Sequence, residues 1–172
     1  MNSKDLTGMW DHLRKCQGIA RRAIATIPAD ALHSRPIPSM RTPTELVVHL
    51  YATSLREMAE GVARGTIVEP DEAGMVARIK TRDDLLAFVD ESWAAASRAV
   101  GSITDEQLAA TVATPWNFSA PGDLFMRAIH DEFLHHRGQL FVYLRALGQA
   151  PPDMYDFEHN APEFQPTSDA KV

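Results

Sequence analysis

The 172 residues include a single cysteine, Cys16. The chain therefore has no internal disulfide and no multi-cysteine zinc site. Positive charge is also scarce: 17 Lys and Arg stand against 23 Asp and Glu, a formal net charge of −6 with the histidines neutral. That balance argues against a surface built for nucleic-acid phosphates or for an anionic bilayer. No apolar run reaches the roughly 18 residues of a membrane span. The opening residues, Met1-Asn2-Ser3-Lys4-Asp5, lack the apolar stretch of a secretory signal. The expected location is cytoplasmic, with neither nucleic acid nor membrane as a partner. Segments alternating with period two are almost missing, which disfavours a sheet-based fold. With 45% apolar and 23% charged residues the chain is ordinary globular material. At about 150 residues per domain it is expected to form one domain.

What the sequence does hold is helical periodicity. The first helix is expected over roughly Ser3 to Thr26, with Leu6, Met9, Trp10, Leu13, Ile19, Ala20 and Ala23 facing the core. Pro28 ends it, and one short turn follows. Pro36 and Pro38 make residues 34–41 a loop. Thr42-Pro43-Thr44-Glu45 combines a cap, a proline at the first helical position and a glutamate at the third. This second helix should run to about Arg64, with Gly65 beyond its end. A short helix is expected around Asp71 to Arg78. A third long helix begins at Thr81-Arg82-Asp83-Asp84, carries Leu85, Leu86, Phe88, Val89, Trp93 and Val100, and ends near Gly101. Thr104-Asp105-Glu106-Gln107 caps a short turn. Val112 to Gly122 reads as an irregular connection. The fourth long helix runs from near Pro121 to Leu147, with Gly148 and Pro151-Pro152 as its stop. Four long helices predict an all-α four-helix bundle with short helical turns in the connections. Residues 1–160 form this unit, and the polar residues 161–172 are expected to be a flexible tail.

The fourth helix carries the chemistry. Phe125, Ile129, Glu132, His136, Leu140, Tyr143 and Leu147 recur at helical spacing on one stripe. Five of the seven are apolar or aromatic, so the stripe should face the core. Glu132 and His136 stand in its middle, four residues apart and therefore stacked on one face. Burying an isolated carboxylate is costly, so the stripe needs a partner cation, a surface position or a metal. On the second helix His49 lies beside Leu46 and Leu50, on or near the apolar side. A bundle projects metal ligands inward from facing helices, so His49, Glu132 and His136 are the candidate ligand set. Two histidines and one carboxylate leave coordination positions open. The same spacing also suits a plain Glu132–His136 pair, and His49 also suits a structural histidine. His135, Trp116 and Tyr143 are candidates for a cleft lining. Arg137 reads as a structural contact, Cys16 as a small packing residue, and Gly138 as a site of close helix approach.

The run His135-His136-Arg137-Gly138-Gln139-Leu140, followed by Tyr143-Leu144-Arg145, Gly148 and Pro151-Pro152, resembles the C-terminal signature of the DinB-like (damage-inducible B) superfamily. Pro43-Thr44-Glu45-Leu46-Val47-Val48-His49-Leu50 resembles its second-helix motif. The resemblance spans roughly Leu6 to Phe157. It implies a four-helix bundle, commonly a homodimer. It also implies a divalent metal, typically zinc or nickel, held by three histidines. His49 and His136 match two of these positions, and Glu132 stands where the family has the third histidine. A carboxylate there also suits iron or manganese. The better-known members of the family are thiol S-transferases using bacillithiol or mycothiol, and a related maleylpyruvate isomerase. The resemblance thus points to a divalent-metal-dependent enzyme acting on a small molecule, through a low-molecular-weight thiol or through water. The alternatives are a non-catalytic metal-binding bundle and a metal-free dimeric stress-response bundle.

Overall fold

The computed structural model describes residues 1–159. The expected tail, 161–172, lies outside them. The helices follow from their capping residues. Helix α1 (Ser3–Ala25) opens on Asn2, whose side chain accepts the Asp5 N–H while Asp5 bonds back to Asn2. A single 3₁₀ turn follows at Ala29–Ala31. Helix α2 (Pro43–Val48) opens on Thr42, with Glu45 completing the capping box. It continues without a break through a π-helical stretch (His49–Glu57) into α3 (Met58–Arg64). That continuous rod ends at Gly65, whose φ of +88° suits glycine. Helix α4 (Glu72–Arg78) is capped by Asp71. Helix α5 (Arg82–Ser102) has the Thr81–Asp84 capping box, and α6 (Asp105–Ala109) has the Thr104–Gln107 box. Helix α7 (Gly122–Ala146) is the last long one.

The rod formed by α2, the π stretch and α3 is the central element. It packs against both α5 and α7, and α1 packs on α5 and α7 from the other side. Within the π stretch Leu50, Tyr51, Ala52, Thr53, Ser54, Leu55 and Glu57 are all buried. A surface helix buries one stripe; this one is enclosed nearly all round. One shared core joins α1, the central rod, α5 and α7, with Leu13, Ile24, Tyr51, Leu55, Leu85, Val89, Phe133 and Leu140 at its heart. Trp10 stacks on Trp93 at 4.9 Å, tying α1 to α5. The expected bundle is observed. No helix among the described residues is long and apolar enough to cross a membrane.

Three features depart from the expected picture. The first is the π stretch itself. At 100° per residue, an uninterrupted α-helix would set Met58 about 180° from His49. Hydrogen bonds reaching five residues back place more residues in each turn, and His49, Thr53, Ser54 and Met58 all line one cavity. The second is the connection before α7, which contains a β-hairpin. Strands β1 (Thr111–Ala113) and β2 (Ser119–Pro121) pair antiparallel, Val112 opposite Ala120, with both side chains buried. Ala113 also bridges to Thr66. The third is Gly138, where a Cβ would meet nothing within 4 Å. Close approach occurs at Gly61 and Gly122 instead. A Cβ on Gly61 would lie 2.5 Å from Ile67, and one on Gly122 would lie 2.5 Å from the Gln107 carbonyl.

Candidate functional site

The π stretch delivers His49 to the inner face of the bundle, and α7 delivers Glu132 and His136 one turn apart. The two imidazole rings meet edge to face, with centroids 5.0 Å apart. One donor atom from each of His49, Glu132 and His136 lies within 4.8 Å of the others. His136 is 5% exposed, and Glu132 is half-buried. His136 Nε2 and Glu132 Oε2 are 3.1 Å apart. They are not aligned as a hydrogen bond, so Nε2 is buried without a hydrogen-bond partner.

The other nitrogen of each histidine is engaged. His136 Nδ1 lies 2.8 Å from Gln139 Oε1. The Gln139 amide nitrogen in turn donates to His135 Nε2 at 2.9 Å. His49 Nδ1 lies 2.7 Å from Glu72 Oε1, which also accepts from the Thr53 hydroxyl. Burial alone would raise the Glu72 pKa; the hydrogen bonds from His49 and Thr53 outweigh it and hold the carboxyl below its ordinary value. For His136, burial is the largest influence and pushes the pKa down. Neighbouring His49 and His135 add to that, against the Gln139 bond and the Glu132 charge. His136 is therefore held as neutral imidazole, the form that ligates metals.

A cavity of about 580 Å³ adjoins this group. Four carboxylates face it, from Glu69, Asp71, Glu72 and Glu132, against the single guanidinium of Arg41. Met58 and Trp116 supply apolar wall. Trp116 sits at the tip of the β-hairpin. There Thr114 Oγ1 donates to the Phe118 carbonyl at 2.6 Å, and Asn117 adopts a φ of +57°, a conformation asparagine tolerates better than most residues.

Of the expected cleft residues, Trp116 is on the cavity wall. His135 is exposed and packs its ring on His136 at 4.9 Å without lining the cavity. Tyr143 is buried, and its hydroxyl donates to the Arg41 carbonyl at 2.7 Å, bracing the cavity wall from behind. Arg137 is buried on α7. Cys16 is buried beside His12, Sγ to Nε2 3.7 Å. Burial pushes its thiol pKa up, which keeps it protonated and unreactive. Sequence reasoning passed over Glu72, Gln139 and Arg41. Gln139 had a local signal, three residues from His136 on the same helix face. Glu72 is 23 residues from His49 and had none.

An imidazole nitrogen that is buried without a hydrogen bond, beside a second imidazole and a carboxylate, fits a divalent ion. That donor set is acceptable to zinc, nickel, iron or manganese. The chain matches the family model for the DinB family over residues 1–168. It is similar in structure to a DinB-like protein from Bacillus subtilis, with a TM-score of 0.70 and 20% identity over 86% of this chain and 96% of that one. A DinB-like protein from Bacillus cereus gives a TM-score of 0.69 and 16% identity over 85% and 95%. At these identities the likeness concerns the fold. No curated protein matches the chain. A family model that spans nearly the whole sequence, on the bundle its helices build, places this chain in the DinB family.

Proposed function

We propose that the chain is a divalent-metal-dependent enzyme acting on a small molecule, with His49, Glu132 and His136 as the metal ligands. The observation that carries this reading is the Nε2 of His136, buried without a hydrogen-bond partner, 3.1 Å from the Glu132 carboxylate and next to His49 at the edge of a cavity of about 580 Å³. A buried nitrogen without a partner is costly, and a bound cation satisfies it. When bound, a divalent ion supplies Lewis acidity toward a water or a thiol. Three protein ligands leave room for such a group.

The remaining residues bind and orient. Glu72 and Gln139 accept from the non-ligating nitrogens of the two histidines. Arg41 brings the one positive charge in the cavity wall and suits an anionic part of a substrate. Trp116 and Met58 offer apolar surface. A thiol co-substrate would come from solution, because Cys16 is buried, protonated and not among the cavity-lining residues. Thiol transfer and hydrolysis are the two chemistries this arrangement serves.

Elemental analysis of tag-free protein tests the reading, with wild type beside His136→Ala and Glu132→Ala. Near-stoichiometric metal in wild type and its loss in both variants is the expected result. Metal-loaded wild type should then accelerate alkylation of low-molecular-weight thiols, or ester hydrolysis, above the metal-free protein. Wild type that takes up no zinc, nickel, manganese or iron overturns the reading.

A further inference from the structure

We propose that Glu72 and Gln139 are positioning residues that lock His49 and His136 in one tautomer, the form with the proton on Nδ1 and a bare Nε2. The inference rests on the metal-site reading for its purpose, but the tautomers can be observed without any metal.

An ionised carboxylate only accepts hydrogen bonds, so the 2.7 Å contact between Glu72 and His49 puts the proton on Nδ1. The amide of Gln139 reaches the same result on His136. Its nitrogen is committed to His135 Nε2, so its carbonyl oxygen is the end that faces His136 Nδ1. Two relays follow, one from Thr53 through Glu72 to His49, the other from His135 through Gln139 to His136. Each begins on a residue adjoining or near the site and ends on a ligating histidine. This also gives a role to the exposed His135, which orients the Gln139 amide.

The placement of Glu72 is specific. It is the first residue of α4, a helix with no buried residue. Asp71 caps that helix by accepting the Gly74 N–H at 2.9 Å. A Cβ at Gly74 would fall 2.0 Å from the Asp71 carboxylate, so the glycine lets that carboxylate sit directly over its N–H. The cap aims the start of α4, and with it the Glu72 side chain, at His49. Acceptors on the outer nitrogen of a metal-bound histidine fix the ring and raise its basicity.

The test is nitrogen-detected NMR of the imidazoles in metal-free protein, together with zinc affinity by chelator competition. In wild type both His49 and His136 should be single Nδ1–H tautomers. Glu72→Ala should mix the tautomers of His49 alone, and Gln139→Ala those of His136 alone. Glu72→Gln keeps an acceptor and should restore the His49 tautomer, a rescue that a merely structural role does not predict. Zinc affinity should fall roughly 10–100-fold in each alanine variant. Unchanged tautomers and unchanged zinc affinity in Glu72→Ala and Gln139→Ala overturn this inference and leave the metal site standing. The expected tautomer pattern in a wild type that binds no zinc supports the inference and overturns the metal site.

Discussion

Replacing His136 with leucine should stabilise the metal-free protein and destabilise the metal-loaded one relative to wild type. His136 is 5% exposed, and its Nε2 has no hydrogen-bond partner. A buried polar group left in that state costs about 1–3 kcal/mol. Leucine removes it at similar volume. The substitution gives up the bond to Gln139, worth about 0.5–1.5 kcal/mol; Gln139 is half-buried and water can take its place. The expected net gain is about 1 kcal/mol in chelator, or roughly 2–4 °C in Tm for a chain of this length. Zinc at a hundred times its Kd contributes about 2.7 kcal/mol to a wild type that binds it only when folded. The order of the two proteins should therefore reverse between chelator and zinc. Thermal unfolding followed by circular dichroism in both buffers reads this directly. A His136→Leu protein that melts below wild type in chelator refutes the accounting of the orphaned nitrogen. A wild-type Tm unmoved by zinc refutes the accounting of the metal.

Acid should destabilise the metal-free fold. Burial lowers the pKa of both His12 and His136 from the ordinary 6.5, so the unfolded chain takes up protons first as the pH falls. Stability should be full above about 6.5 and decline below it. Urea titrations should show a shallower decline in a His12→Gln/His136→Gln double variant, and a stability that rises on acidification contradicts the sign. Val112→Ala should cost about 2 kcal/mol, because Val112 is 1% exposed on the hairpin and leaves a cavity; a change under about 0.5 kcal/mol, measured by chemical denaturation, would mean the hairpin is surface rather than core. A homodimer is expected in solution from the family resemblance, and a monomer mass by light scattering contradicts that.

The long helices were legible because their ends are written locally. The boxes at Thr42, Thr81 and Thr104 and the terminal glycines Gly65 and Gly148 all act where they stand in sequence. The pairing of Glu132 with His136 was legible for the same reason, being one helical turn. Burial of the residues around His49 was legible only as a side of a helix. The π spacing was not, because the apolar residues from His49 to Glu57 fit ordinary helical spacing and nothing local marks the change. The hairpin escaped notice because its strands are three residues each, too short for a period to register. Glu72 escaped because the link to His49 crosses a turn and a loop. Gly138 was given a packing role on propensity alone, and the structure places nothing against it.

The π stretch changes what sequence distance means along the central rod. Up to His49 the residues keep the phase of an ordinary α-helix. By Met58 the rod has fallen behind that phase, since hydrogen bonds reaching five residues back put more residues in each turn. A related bundle with an uninterrupted α-helix would present a different residue to the equivalent wall at the same count from its histidine. Residues of Met58–Arg64 correspond to those of such a relative by angle around the rod, and counting from His49 is a true guide only as far as the π stretch begins.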